Sequence, residues 1–214
     1  MLIICTTLNF YGCTGSPSGS MKSDHITREG NYKEKVEVDS VAEPAEAVGD
    51  FDSVTDSEYE KIRLAFPELE RSPSEKDESD TEVALKKAMD YNAETVIVAG
   101  VTGGRLDHYL AALQIVFAYQ KSYPLVDFRV LNKQNRIRFM KPGTYQMKAD
   151  NDFTYISFYP FSEEVSGFTI KGFKYPVKDE RISFGSTRFT SNELAGDGTV
   201  SFTKGDLIVI ESSD

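Results

Sequence analysis

Residues 95–101, TVIVAGV, form an unbroken apolar run that ends among glycines. A strand with one wet face alternates apolar and polar residues, whereas a run without alternation suits a strand buried on both faces, as in a parallel sheet. The next segment, GGRLDHYLAALQIVFAY, sets Leu106, Leu110, Leu113 and Phe117 at i, i+4, i+7 and i+11. That spacing predicts a helix with these four residues in one buried stripe. VDFRVLN follows as a second strand. Strand, glycine turn, helix, strand is the order of a doubly wound α/β layer. Upstream, SEYEKIRLAF spaces Tyr59, Ile62 and Phe66 as a helix does, and TEVALKKAMDYN repeats the period with Val83, Leu85 and Met89. The polar linker RSPSEKDESD separates these two helices.

After Arg136 no helical period is found, and short alternating segments take over: TYISFYPF, GFTIKGFKYPV, RISFGSTRF, TVSFTKGD and LIVIES. These predict an all-β sandwich. The expected division is an α/β domain over residues 1–135 and a β-sandwich domain over 136–214, with the boundary inside NKQNRIRFMKPGTY. The second unit is small for a free-standing domain and is expected to lean on a partner. Residues 1–43 read differently from the rest, because after MLIIC they offer turn formers such as GCTGSPSGSMKSDH and no clear amphipathic element.

Charge narrows the ligands. With 34 acidic against 24 basic residues the formal charge is −10, which repels nucleic-acid phosphate and anionic lipid in the absence of a basic patch, and none is visible. A phosphorylated substrate is disfavoured too, unless a divalent cation stands between carboxylates and phosphates. Cys5 and Cys13, the two cysteines, make neither a disulfide framework nor a zinc spacing, which fits a reducing cytoplasm. MLIIC lacks a basic flank and is too short to span a bilayer, so neither a signal peptide nor an anchor is expected there.

The chemistry-bearing residues fall in a few short stretches. In GDFDSV, Asp50 and Asp52 are i and i+2 in an extended segment and so point to one side, where a carboxylate pair attracts Mg²⁺. Alone, a D-x-D is better explained by an Asx-rich turn on a solvated loop. In EKDESDTE, Ser79 and Glu82 fit a capping box and Asp80 suits the first helical turn. The functional alternative makes Asp77 or Asp80 a further metal ligand, with Lys76 reaching a phosphate.

GVTGGRLDHYL is the most informative stretch: Gly103 and Gly104 allow backbone N–H groups to approach an anion at a helix N-terminus, and Arg105 adds a fork of donors. Asp107 is placed to accept from a hydroxyl, and His108 to orient it or to serve phosphates. A capping aspartate and a surface histidine are the bland counterparts. In FGSTRFTSNEL, the cluster Ser186, Thr187, Ser191 and Asn192 reads either as a hydroxyl-rich turn or as a polar cradle for a small ligand.

AVGDFDSV, SEKDESDTEVAL, GVTGGRLDHYLAALQ and GSTRFTSNEL, in this order and spacing from about Pro44 onward, resemble the thiamine pyrophosphokinases of the bacterial type. The resemblance implies transfer of a pyrophosphoryl group from ATP to the hydroxyl of thiamine, giving thiamine diphosphate and AMP, with Mg²⁺ required. It implies Asp50, Asp52 and Asp80 around the metal and near the attacking hydroxyl, with Lys76 and Ser79 toward the nucleotide. The turn at Gly103, Gly104 and Arg105, followed by Asp107 and His108, would cradle ATP. Ser186, Thr187, Ser191 and Asn192 match the segment that helps to line the thiamine pocket. A cytoplasmic homodimer with sites shared between subunits is expected. The family pattern of a further upstream aspartate is missing, since EGNYK brings Asn31 to that place. Residues 1–43 are therefore expected to pack weakly, and the metal to bind less tightly. Two rivals stand beside this reading. DFDSV also satisfies the nucleophile pattern of haloacid-dehalogenase-like phosphatases, although AEPAEAVG is a poor strand to precede it and GGRLDH is left unexplained. A non-catalytic nucleotide- or thiamine-binding module is the other.

Overall fold

The computed structural model describes residues 2–5, 56–65, 79–102 and 105–214. From the N-terminus come β1 (Leu2–Cys5), α1 (Asp56–Ala65), α2 (Asp80–Met89), β2 (Thr95–Ala99), α3 (Leu106–Ser122) and β3 (Asp127–Leu131). Strands then follow one another as β4 (Asn135–Met140), β5 (Gly143–Met147), β6 (Tyr155–Pro160), β7 (Glu164–Phe173), β8 (Val177–Ser183), β9 (Leu194–Phe202) and β10 (Leu207–Ser212). No helix among these residues is long and apolar enough to cross a membrane.

The apolar run is β2, and Val96, Ile97 and Val98 are all buried, as a strand covered on both faces requires. It lies between β1 and β3, parallel to both, with Ala99 opposite Cys5 on one side and Leu131 on the other. Thus MLIIC supplies a strand. α2 and α3 pack in one core with the sheet: Leu85, Ala88, Leu113 and Val116 meet Val96, Val98, Phe128 and Val130.

The buried stripe of α3 differs from the expected one. Leu113 is buried and Phe117 half-buried, but Leu106 is 80% and Leu110 56% exposed. The buried face carries Ala112, Leu113, Val116 and Gln120 instead. Gln120 earns its place inside by hydrogen bonding, donating from Nε2 to the Val126 carbonyl at 2.8 Å and accepting from the Phe128 N–H at 3.2 Å. Apolar spacing groups residues on a helix face, and the position of the sheet selects the face that includes Ala112, Val116 and the amide Gln120.

NKQNRIRFMKPGTY holds β4 and the start of β5. β4 pairs antiparallel with β3 and with β10, so one mixed sheet of order β1-β2-β3-β4-β10-β6 runs through the segment. A second, antiparallel sheet has the order β5-β9-β7-β8. The two sheets pack face to face: Met140, Phe158, Leu207 and Val209 of the first meet Phe168, Ile170, Ile182 and Val200 of the second. Ile137, Phe139 and Ile208 point the other way, into the core shared with α2 and α3. Strands β4 and β10 therefore serve two cores from opposite faces, as the two-residue period of a strand permits. RISFGSTRF is strand only at its start, because β8 ends at Ser183 and the chain turns at Gly185, whose φ is +86°.

On the sandwich side of β4 and β10 lies a buried ion pair. Arg136 Nε and Nη2 donate to the Glu211 carboxylate at 2.7 and 2.8 Å, and Nη1 donates to Asp150 at 3.0 Å. Burial pushes the Glu211 carboxyl up, but the Arg136 hydrogen bonds and the nearby Arg138 and Arg136 charges outweigh it and hold it below its ordinary value.

Candidate functional site at the carboxyl edge of the parallel strands

The parallel strands β2 and β3 end side by side, and open α/β sheets bind ligands at that edge. Gly100, directly after β2, has φ +78°, a conformation that strains other residues, so the chain turns sharply there. α3 begins at Leu106 with Arg105 as its N-cap, and Arg105 makes no side-chain capping bond. The N-terminal N–H groups of a helix are donors in want of acceptors, and the helix dipole favours an anion there.

α2 presents its N-terminus to the same edge. Only residues 90–94 separate α2 from β2, so the helix must run back along the strand, and ten residues rise about 15 Å, close to the length of a five-residue strand. Ser79 caps it, its Oγ accepting from the Glu82 N–H at 3.3 Å. Asp80, the first helical residue, is exposed. The expected capping by Ser79 and the first-turn position of Asp80 are both observed.

Arg105 and Asp107 form a fork: Nε donates to Oδ1 at 3.1 Å and Nη2 to Oδ2 at 2.5 Å. Asp107 Oδ1 also accepts from the His108 N–H at 3.0 Å. The hydrogen bond from Arg105 is the main cause that holds the Asp107 carboxyl down to about 2. Such a carboxylate stays ionised at neutral pH and is a weak base, so it is suited to orienting a donor. Both side chains are exposed, and Arg105 keeps guanidinium donors beyond the two used. His108 is exposed in the first turn of α3.

Asp50, Asp52, Lys76, Asp77, Gly103 and Gly104 lie outside the described residues, as does Asn31. Among the described residues no group of three His, Cys, Asp or Glu gathers as a metal site. Of the expected ligand set these residues contribute Asp80.

The β8–β9 connection places the second cluster. Asn192 is 3% exposed, and its amide is engaged by backbone: Oδ1 accepts from the N–H of Tyr175 at 3.1 Å and of Glu193 at 2.9 Å, and Nδ2 donates to the Tyr175 carbonyl at 3.0 Å. Its own backbone pairs with Ile156 of β6. Ser191 has φ +54° and donates its N–H to Ser157 Oγ at 2.9 Å. Ser186 is half-buried and donates its N–H to the Ser183 carbonyl at 3.1 Å, while exposed Thr187 accepts from Thr190 at its carbonyl. The connection thus fastens Ser191 and Asn192 to β6 and leaves Ser186 and Thr187 in the turn beyond β8.

Two features escape sequence reading. Tyr159 and Thr190 share a hydroxyl hydrogen bond of 2.8 Å, joining β6 to the same connection. At the parallel edge, Asn132 Nδ2 donates to Thr102 Oγ1 at 2.7 Å. An asparagine between two strand-like runs marks a turn, but nothing local indicates a partner in a distant loop.

Comparison with known proteins gives a consistent answer. The family described as "Thiamin pyrophosphokinase, catalytic domain" matches residues 23–126, and "Thiamin pyrophosphokinase, vitamin B1 binding domain" matches 144–207. The first match begins before Pro44 and takes in Asn31, so the family pattern reaches into the segment expected to lack it. The chain is 42% identical to the thiamine pyrophosphokinase of Bacillus subtilis over 172 residues, 80% of this chain and 79% of that one. The crystal structure of a Bacillus subtilis thiamine pyrophosphokinase superposes with a TM-score of 0.74 at 42% identity, covering 80% of this chain and 79% of that one. A thiamin pyrophosphokinase from Geobacillus thermodenitrificans does so at 0.72 and 41%, covering 80% and 78%. By these matches the chain belongs to the thiamine pyrophosphokinase family.

Proposed function

We propose that the protein transfers the pyrophosphoryl group of ATP to the hydroxyl of thiamine, yielding thiamine diphosphate and AMP. One observation carries the reading: a catalytic-domain match is followed on the same chain by a vitamin B1 binding-domain match, with 42% identity to one relative across both. The geometry of the parallel edge agrees with it, since a glycine turn, two helix N-termini and the Arg105 donors suit a polyphosphate.

Transfer of this kind demands positioning and charge neutralisation more than covalent help from the protein. Arg105 and the N-terminal N–H groups of α3, with Gly103 and Gly104, would hold the nucleotide, and Lys76 and Ser79 would approach it from the α2 side. Asp107, ionised and fixed by Arg105, orients a hydroxyl or amine donor and does not remove a proton. The proton of the thiamine hydroxyl goes to a carboxylate, Asp80 or Asp50. Asp80 offers a hard oxygen donor exposed at a helix end, the donor type that Mg²⁺ prefers, and Asp50, Asp52 and Asp80 would hold that ion. Bound there, Mg²⁺ would neutralise phosphate charge in an acidic protein. Ser186, Thr187, Ser191 and Asn192 would line the thiamine side, where Asn192 serves as a strut that sets the loop. The first unit, 1–135, would be the ATP-binding, doubly wound part, and 136–214 the thiamine-binding part. A cytoplasmic homodimer with shared sites completes the reading.

The deciding experiment is AMP formation from ATP and thiamine, with and without Mg²⁺. Thiamine-dependent AMP release that requires the cation is expected. Its absence, with release of inorganic phosphate from a phosphomonoester instead, would refute the proposal.

A further inference from the structure

We infer that Thr102 and Asn132 form a tether that positions the nucleotide-binding turn, an inference that rests on the proposed function. Asn132 follows β3 directly, and Thr102 lies three residues beyond the end of β2, the neighbouring strand whose Ala99 faces Leu131. The orientation of the Asn132 amide is dictated by its partners. The N–H groups of Gln134 and Asn135 approach Oδ1 at 2.9 and 2.7 Å, and an N–H can only donate, so that atom must be the oxygen. The amide nitrogen is thereby aimed at Thr102 Oγ1, 2.7 Å away.

Asn132 is itself firmly held. Its N–H donates to the Asn135 carbonyl at 2.9 Å, closing the β3–β4 turn. The Ser213 N–H donates to the Gln134 carbonyl at 3.0 Å, so the turn is also fastened to the chain beyond β10. Strands β2 and β3 are already in register through their backbones, and a side-chain bond beyond their ends adds nothing to that register. Its effect falls on the chain it grips: Thr102 stands between Gly100, where the backbone turns, and Arg105, where α3 is capped. A hydroxyl held by a rigid hairpin keeps the stem of the turn in one place before a nucleotide arrives, and pre-positioned donors bind and orient phosphates better than donors that must be ordered on binding.

The test compares Thr102→Val, which keeps the shape and removes the hydroxyl, with Thr102→Ser, which keeps the hydroxyl. Calorimetric affinity for ATP, KM for ATP and for thiamine, and thermal midpoint are measured for both. The valine variant should bind ATP about tenfold more weakly, with KM for ATP raised alike and KM for thiamine within about twofold of wild type. Its midpoint should fall by no more than about 4 °C, and serine should restore the affinity. Unchanged ATP affinity in Thr102→Val would overturn the inference, as would equal losses in both variants or equal rises in both KM values. If the wild type binds ATP but releases no AMP, the proposed reaction fails, while the same ratio of ATP affinities still decides the tether.

Discussion

Two arginine–carboxylate forks of the same chemistry stand in opposite settings. At the parallel edge, Arg105 and Asp107 are two residues apart in sequence and mostly solvent-exposed. In the sandwich, Arg136 and Glu211 are 75 residues apart and nearly sealed, with side chains 10% and 3% exposed. Water screens the first pair, so it contributes little to folding and stays available to an incoming anion. The second pair has exchanged water for protein partners, and each charge needs the other to remain inside. The setting, more than the bond, leaves one fork open to solvent and makes the other part of the architecture.

Breaking the buried fork should have the largest effect. Glu211→Gln leaves Arg136 with Asp150 as its remaining charged partner and should cost about 3 kcal/mol of unfolding free energy, read by chemical denaturation. The same variant tests the pH dependence. Because the folded-state value of Glu211 lies below its ordinary 4.5, its contribution is present above that value and is lost as pH falls through the folded value. The wild type should therefore lose more stability in that acid range than Glu211→Gln does, and parallel curves would refute the role given to the pair.

Asp150→Asn is a milder change, since the amide oxygen can still accept from Arg136 Nη1. A loss of about 1 kcal/mol is expected by the same measurement, and a loss as large as that of Glu211→Gln would show that Asp150 carries the pair. On stability Arg105→Gln should have the smallest effect, leaving the denaturation midpoint unchanged within error. Its signature is local: the Asp107 carboxyl, followed by NMR, should rise from about 2 toward 3.8. ATP affinity should fall about tenfold at the same time, in keeping with the loss of a charged donor to phosphate. A clear drop in midpoint would erase the contrast between the two forks.

Much of this was legible in the residues. The strand at TVIVAGV, the helices, the capping of α2 by Ser79 and most of the later strands follow from local periods and turn chemistry, and the family was readable from motifs in order. Leu106 and Leu110 misled because their spacing shows which residues share a helix face, while the position of the sheet decides which face is covered. NKQNRIRFMKPGTY marks the point where helical periods end, but that change does not show that Ile137 and Phe139 face one core and Met140 another, which follows from β4 lying between two packed layers. Of the residues expected at a site, the structure places Arg105 and Asp107 in a fork, Asp80 in the first turn of α2, and Ser191 and Asn192 against β6. The bond between Thr102 and Asn132, 30 residues apart, was not legible in the sequence.

By itself the sequence determined where strands and helices form, where glycine lets the chain turn, and which family's chemistry the motifs carry, since each of these depends on residues a few positions apart. Tertiary structure alone decided that one sheet runs from β1 to β6 through β4 and β10, that Gln120 belongs inside, and which partners Arg136 and Asn132 take. Those outcomes depend on which strands become neighbours. Pairing brings together residues far apart in the chain, and a buried polar group finds its partner only once that pairing has excluded water.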